Sequence, residues 1–142
     1  MSAAAYDVFV SYRHEAADRR WVRELLVPRL LADGLDVCVD YLTFRLGSPL
    51  VLEMAAAVEA SRYTLAVLTP AYVASTFTEL ENVLAEHLGL EQAARRLLYV
   101  LREPTDAPLR VRARAWFDMS SDEKFPQAVA RLCQELRRDP RG

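Results

Sequence analysis

Short β-branched apolar runs alternate along the chain with longer stretches whose apolar residues recur every three or four positions. Tyr6 to Tyr12 reads as a strand. Asp18 is placed to cap a helix that carries Trp21, Leu25 and Leu26 and stops at Asp33-Gly34. Leu35 to Val39 makes a second strand, and residues 40–49 a mixed loop containing Gly47. A second helix over Leu50 to Ala60 sets Val51, Met54, Ala55 and Val58 on one face. Tyr63 to Leu68 is a third strand, halted by Thr69-Pro70. The helix that follows reaches about Leu88-Gly89, and Thr76-x-x-Glu79 at its start has the spacing of a capping box. Arg96 to Leu101 is a fourth strand, 104–114 a loop, and Trp116-Phe117 a short fifth strand. A last helix from near Lys124 to Arg138 turns Phe125, Val129, Leu132 and Leu136 inward. Strand alternating with helix at this spacing predicts an α/β fold, a parallel sheet covered on both faces.

In such a sheet, ligands gather beyond the carboxyl ends of the strands. The residues that fall there are Ser11, Tyr12, Arg13 and His14, then 40–48, then 69–77. The helix after the third strand begins at the same edge, and its phase raises a question. Phe77, Leu84 and Leu88 share one face, and Glu81 stands beside them, four residues after Phe77, while Glu79 and Glu86 point away. A carboxylate on the inward edge of a helix must find a partner or line a pocket, because burying it alone is expensive.

Composition narrows the function classes. The 142 residues suit one domain, read as a single unit over 1–142 belonging to a larger multidomain protein. A net charge of -2 gives no electrostatic case for nucleic acid or an anionic membrane. Lys124 is the only lysine among 18 basic residues, an arginine bias that points to a GC-rich, bacterial genome. Cys38 and Cys133 form no CxxC pair and have no histidine cluster nearby, so they read as buried free thiols in a reducing compartment, and no metal site is expected. No apolar run approaches the roughly 18–20 residues that span a bilayer, and the first residues lack a signal-peptide pattern, so the expected location is the cytoplasm.

Four blocks then resemble one family. Tyr6-Asp7-Val8-Phe9-Val10-Ser11-Tyr12-Arg13 is similar to the first signature of Toll/interleukin-1 receptor (TIR) domains. Gly34 to Asp40 followed by Gly47 resembles their second strand and the loop after it, and Ala57 to Arg62 resembles the approach to the third strand. Leu68 to Ser75 resembles the segment before the family's tryptophan and, four residues on, its catalytic glutamate. Phe77 and Glu81 occupy those two positions here. The resemblance implies a flavodoxin-like fold with a five-stranded sheet. Among bacterial members it also implies NAD+ cleavage at the nicotinamide–ribose bond, giving nicotinamide and ADP-ribose or a cyclic isomer, in immune or cell-death signalling activated by self-association.

Such chemistry is compatible with one carboxylate. Nicotinamide in NAD+ is already a cationic leaving group and departs neutral, so the protein need only stabilise positive charge growing on the ribose. Glu81 is the expected catalytic residue. Arg13 and Arg45 are candidates for the pyrophosphate; Tyr12, Phe44 and Phe77 offer ring faces to nicotinamide or adenine, and Ser11 completes the substrate-binding set. NAD+ is the substrate, with no cofactor, and the expected partners are other TIR domains. Asp40 is read as fixing the loop rather than touching substrate. The competing reading is a non-catalytic TIR–TIR interaction module. A phosphoacceptor receiver domain, which shares the topology, is excluded because Ser11-Tyr12-Arg13, Thr69 and Ser120 stand where its acids and lysine belong.

Overall fold

The computed structural model describes residues 5–106 and 116–140. Five parallel strands, β1 (Tyr6–Ser11), β2 (Val37–Cys38), β3 (Ser61–Leu68), β4 (Leu97–Leu101) and β5 (Phe117–Asp118), lie in the order β2-β1-β3-β4-β5. Helices cover both faces. α1 comprises Ala16–Trp21 and Val27–Ala32 joined through a π-helical turn, Val22–Leu26. Then come α2 (Asp40–Thr43), α3 (Leu50–Ala60), α4 (Pro70–Ser75), α5 (Phe77–Arg96) and α6 (Phe125–Leu136). The expected loop over 104–114 falls largely on residues outside those described.

Period-two alternation divides the core between the two faces. Val8, Val10 and Tyr12 pack with Trp21, Leu26, Leu30 and the α6 residues Val129, Leu132 and Leu136. Phe9 faces the other way, towards Met54, Val58, Tyr72, Phe77, Leu80 and Leu84. β1 pairs on both sides, with Val8 opposite Val37 and Ser11 opposite Ala66, so its carboxyl end emerges in mid-sheet between two connections. That is where an open parallel sheet forms a crevice.

Several local expectations are corrected. Asp18 does not cap α1. The helix starts at Ala16, and Asp18 lies 5% exposed inside its first turn, accepting a hydrogen bond from Thr69 Oγ1 at 3.1 Å. The Thr76/Glu79 capping box does not form either, because Thr76 already has helical backbone angles and makes no side-chain cap bond. Thr69 is the working cap one helix earlier, accepting from the Tyr72 amide at 3.2 Å. Val51 is exposed; α3 buries Met54, Ala55, Ala57 and Val58 instead, with its first turn projecting beyond the sheet. Residues 40–49 begin as α2 rather than as loop, since the Thr43 hydroxyl donates to Val39 O and accepts from Val39 N, closing a turn. α5 runs past Gly89, which takes φ 80°, a region open to glycine, and kinks the helix before Leu90.

Burial raises the Asp18 carboxyl above its ordinary range; the Thr69 hydrogen bond opposes this only in part. A carboxyl raised on folding favours the folded state most at low pH and costs stability as pH rises through the raised value. Asp18→Asn keeps an acceptor for Thr69 and removes the charge. It is expected to raise Tm at pH 7, with the gain over wild type shrinking towards pH 3; thermal melts at the two pH values check this.

Candidate functional site

A cleft of about 310 Å³ opens at the carboxyl end of β1, lined by Phe9 to His14, by Asp40 and Phe44 after β2, by Leu50 and Met54 of α3, and by Thr76 at the start of α5. Its volume is at the small end for ligand pockets.

Four of the seven expected site residues meet here: Ser11, Tyr12, Arg13 and Phe44. Ser11 is buried, and its hydroxyl shares a hydrogen bond with Tyr72 Oη at 2.9 Å. Phe44 packs its ring 5.9 Å from Phe9. Arg13 donates to Ser75 Oγ at 2.7 Å and pairs with Glu15 at 3.6 Å, which holds its guanidinium at the rim. Tyr12 gives its hydroxyl to Asp40 Oδ1 at 2.7 Å, so that hydroxyl is already engaged within the site. Burial, reinforced by Asp40, keeps that phenol protonated far above neutral pH.

The other three fall elsewhere. Arg45 is exposed and outside the lining; its backbone amide donates to Glu53 Oε1 at 2.6 Å. Phe77 offers no face to the cleft. It is 1% exposed, with Tyr72 and Tyr99 rings each 5.9 Å away. Its helical phase points it into the α3–α5 core, where an aromatic fills the space between two tyrosines. Glu81 is half-buried while Glu79 and Glu86 are exposed, as the wheel predicts, and it is engaged within the fold. It is not among the residues that line the cleft. Burial pushes the Tyr72 phenol up, and the Glu81 carboxylate adds to that rise. Tyr72 is in turn the hydrogen-bond partner of the Ser11 hydroxyl in the lining.

Sequence reasoning placed His14 at this edge without giving it a role, and it underrated Asp40. His14 Nε2 lies 3.1 Å from Asp40 Oδ2 and its ring 4.8 Å from that of Tyr12, so the exposed imidazole forms part of the rim. Asp40 does fix the chain after β2, and it also lines the cleft. His87 instead pairs with Glu59 across α5 and α3 at 3.2 Å. Among the described residues no cluster of three or more His, Cys, Asp or Glu could hold a metal, and no helix is long and apolar enough to cross a membrane.

The order 2-1-3-4-5, parallel throughout and with a cleft off β1, defines a flavodoxin-like α/β domain with a ligand-sized opening at its switch point. The chain belongs to the TIR domain family, whose model matches residues 8–133. It is similar to human Toll-like receptor 1, 28% identical over 99 residues, which is 70% of this chain and 12% of the receptor. The chain therefore spans about an eighth of the length of that relative. The crystal structure of the TIR domain of the Toll-related receptor TRR-2 from Hydra magnipapillata superposes with a TM-score of 0.78 at 22% identity, covering 94% of this chain and 100% of that one. A TIR-STING receptor from C. gigas gives 0.62 at 17% identity over 89% of this chain and 41% of its own. These two likenesses bear on the fold.

Proposed function

We propose that this TIR domain is a bacterial NAD+ glycohydrolase, acting in the cytoplasm as the effector unit of a larger protein in defence or cell-death signalling. The observation that carries the reading is Glu81. It is a half-buried carboxylate whose charge is felt at Tyr72, the hydrogen-bond partner of Ser11 in the cleft, and it falls at the position of the family's catalytic glutamate. The C–N bond between ribose and nicotinamide breaks with its electron pair passing to the pyridinium nitrogen, and water or an internal nucleophile takes the ribose carbon. Glu81 would hold the ribose hydroxyls and oppose the developing positive charge. The start of α5 abuts the cleft at Thr76 with no side-chain cap, so its free amides suit a phosphate, alongside Arg13.

Self-association completes the site in this reading. Glu81 is not among the lining residues and the cleft is small, so in this reading a second copy contributes surface or shifts residues 40–49. NAD+ loss and nicotinamide release, followed by chromatography in dilute and crowded protein, test this. Specific activity is expected to rise steeply with domain concentration. Turnover unchanged by dilution would remove the assembly requirement.

The second reading, a non-catalytic TIR–TIR interaction module, is favoured by one observation. Leu42, Leu46, Leu50, Val51 and Leu52 are all exposed in one stretch, an apolar surface suited to another protein. No turnover even in crowded assemblies would favour it.

A further inference from the structure

α1 contains an irregularity that bears on the cleft. Its π-helical turn over Val22–Leu26 closes with the Val27 amide bonded to Val22 O. Pro28, two residues past the end of the turn, has no N–H to give, and its ring would strike the Glu24 carbonyl in a regular helix. Arg23 lies in that turn and reaches across to the residues after β1 and β2. Its Nε donates to Tyr12 Oη at 3.3 Å, its Nη2 lies 3.8 Å from Asp40 Oδ2, and its guanidinium sits 4.7 Å from the centre of the Tyr41 ring. Asp40 is shared on its other side by His14. One side chain on α1 thus touches both residues that open α2 and the tyrosine of the cleft wall.

We infer that Arg23 is a positioning residue that pins α2 against α1 and so sets where Phe44, and with it the mouth of the cleft, is held. The chain of contacts is short. Arg23 holds Asp40 and Tyr41; α2 then turns once, with the Leu42 and Thr43 amides on Val39 O and the Phe44 amide on Asp40 O at 2.9 Å. Phe44 leaves that turn directly into the lining, against Phe9. The flat guanidinium matters because it bonds at one edge and stacks on its face at the same time, which an ammonium cannot do. The consequence for NAD+ rests on the reading above: residues that frame the mouth change how substrate is gripped more than how the bond breaks.

Arg23 is partly exposed on its helix, so Arg23→Gln should fold normally. Hydrogen exchange at the Leu42, Thr43 and Phe44 amides is expected to quicken roughly fivefold, with α6 amides unaffected. KM for NAD+ should rise about tenfold while kcat stays within about twofold, the pattern of lost positioning in the ground state. Unchanged exchange in the variant overturns the pin. Faster exchange with unchanged KM overturns its link to the cleft. Should the wild type turn over no NAD+, the glycohydrolase reading fails by itself, and the exchange rates with the Phe9–Phe44 ring contact, read by NMR in both proteins, still decide the inference.

Discussion

Glu81→Gln is expected to abolish NAD+ turnover, by at least about 100-fold, while leaving the fold intact. The glutamine keeps the volume and hydrogen-bonding reach of the side chain but not its charge. Losing an electrostatic group aimed at a developing cation typically costs two to three orders of magnitude in kcat. Loss of stability should be small, within roughly 0.5 kcal/mol, because the residue is half-buried and the replacement isosteric. Glu79→Gln is the internal control. Glu79 is exposed and takes no part in a capping box, so activity and Tm should both match wild type. Nicotinamide release by the three proteins, with melts alongside, checks the pair. Activity surviving in Glu81→Gln and lost in Glu79→Gln would show that the two roles were assigned the wrong way round.

Phe77→Ala carries the largest expected effect on stability. The side chain is fully buried and bridges Tyr72 and Tyr99, and truncating a buried phenylalanine costs about 3–5 kcal/mol through lost transfer energy and the cavity left behind. The damage should spread to the cleft, since Tyr72 is both a ring neighbour of Phe77 and the partner of Ser11. Phe77→Trp, which restores the aromatic the family places here, is expected to cost about 1–3 kcal/mol by overpacking. Denaturant melts of both variants measure the two costs. A near-wild-type Phe77→Ala would mean that the ring is not part of the core, and would reopen its assignment as a substrate wall.

The order of elements was readable from residue spacing because period two and period 3.6 report which face is apolar. That is why α6 turns Val129, Leu132 and Leu136 inward as expected. The same wheel placed Glu81 on the inward edge and Glu79 outside, which the burial of the two residues reproduces. Spacing failed where a local motif competed with tertiary geometry. Thr76-x-x-Glu79 has the right residues for a capping box, but Thr76 follows α4 almost without a break and never takes the extended angles a cap needs. Asp18 looked like a cap for the opposite reason. Its helix starts earlier, and a buried hydroxyl on another connection holds its carboxylate instead.

The sequence by itself determined the α/β class, the parallel sheet with two covered faces, the edge at which a site would form and the family, since those depend on local periodicity and on blocks of contiguous residues. Tertiary structure alone decided which candidates share a cleft. Ser11, Tyr12, Arg13 and Phe44 come together there, Phe77 sinks into the core and Arg45 faces outward. It also joined His14 to Asp40 and added Arg23, which lies in the π-helical turn of α1. The physical reason is that a helical wheel fixes the direction of a side chain only relative to its own axis. Where that direction ends is set by how far each element is advanced and turned against its neighbours, which depends on contacts between residues far apart in the chain.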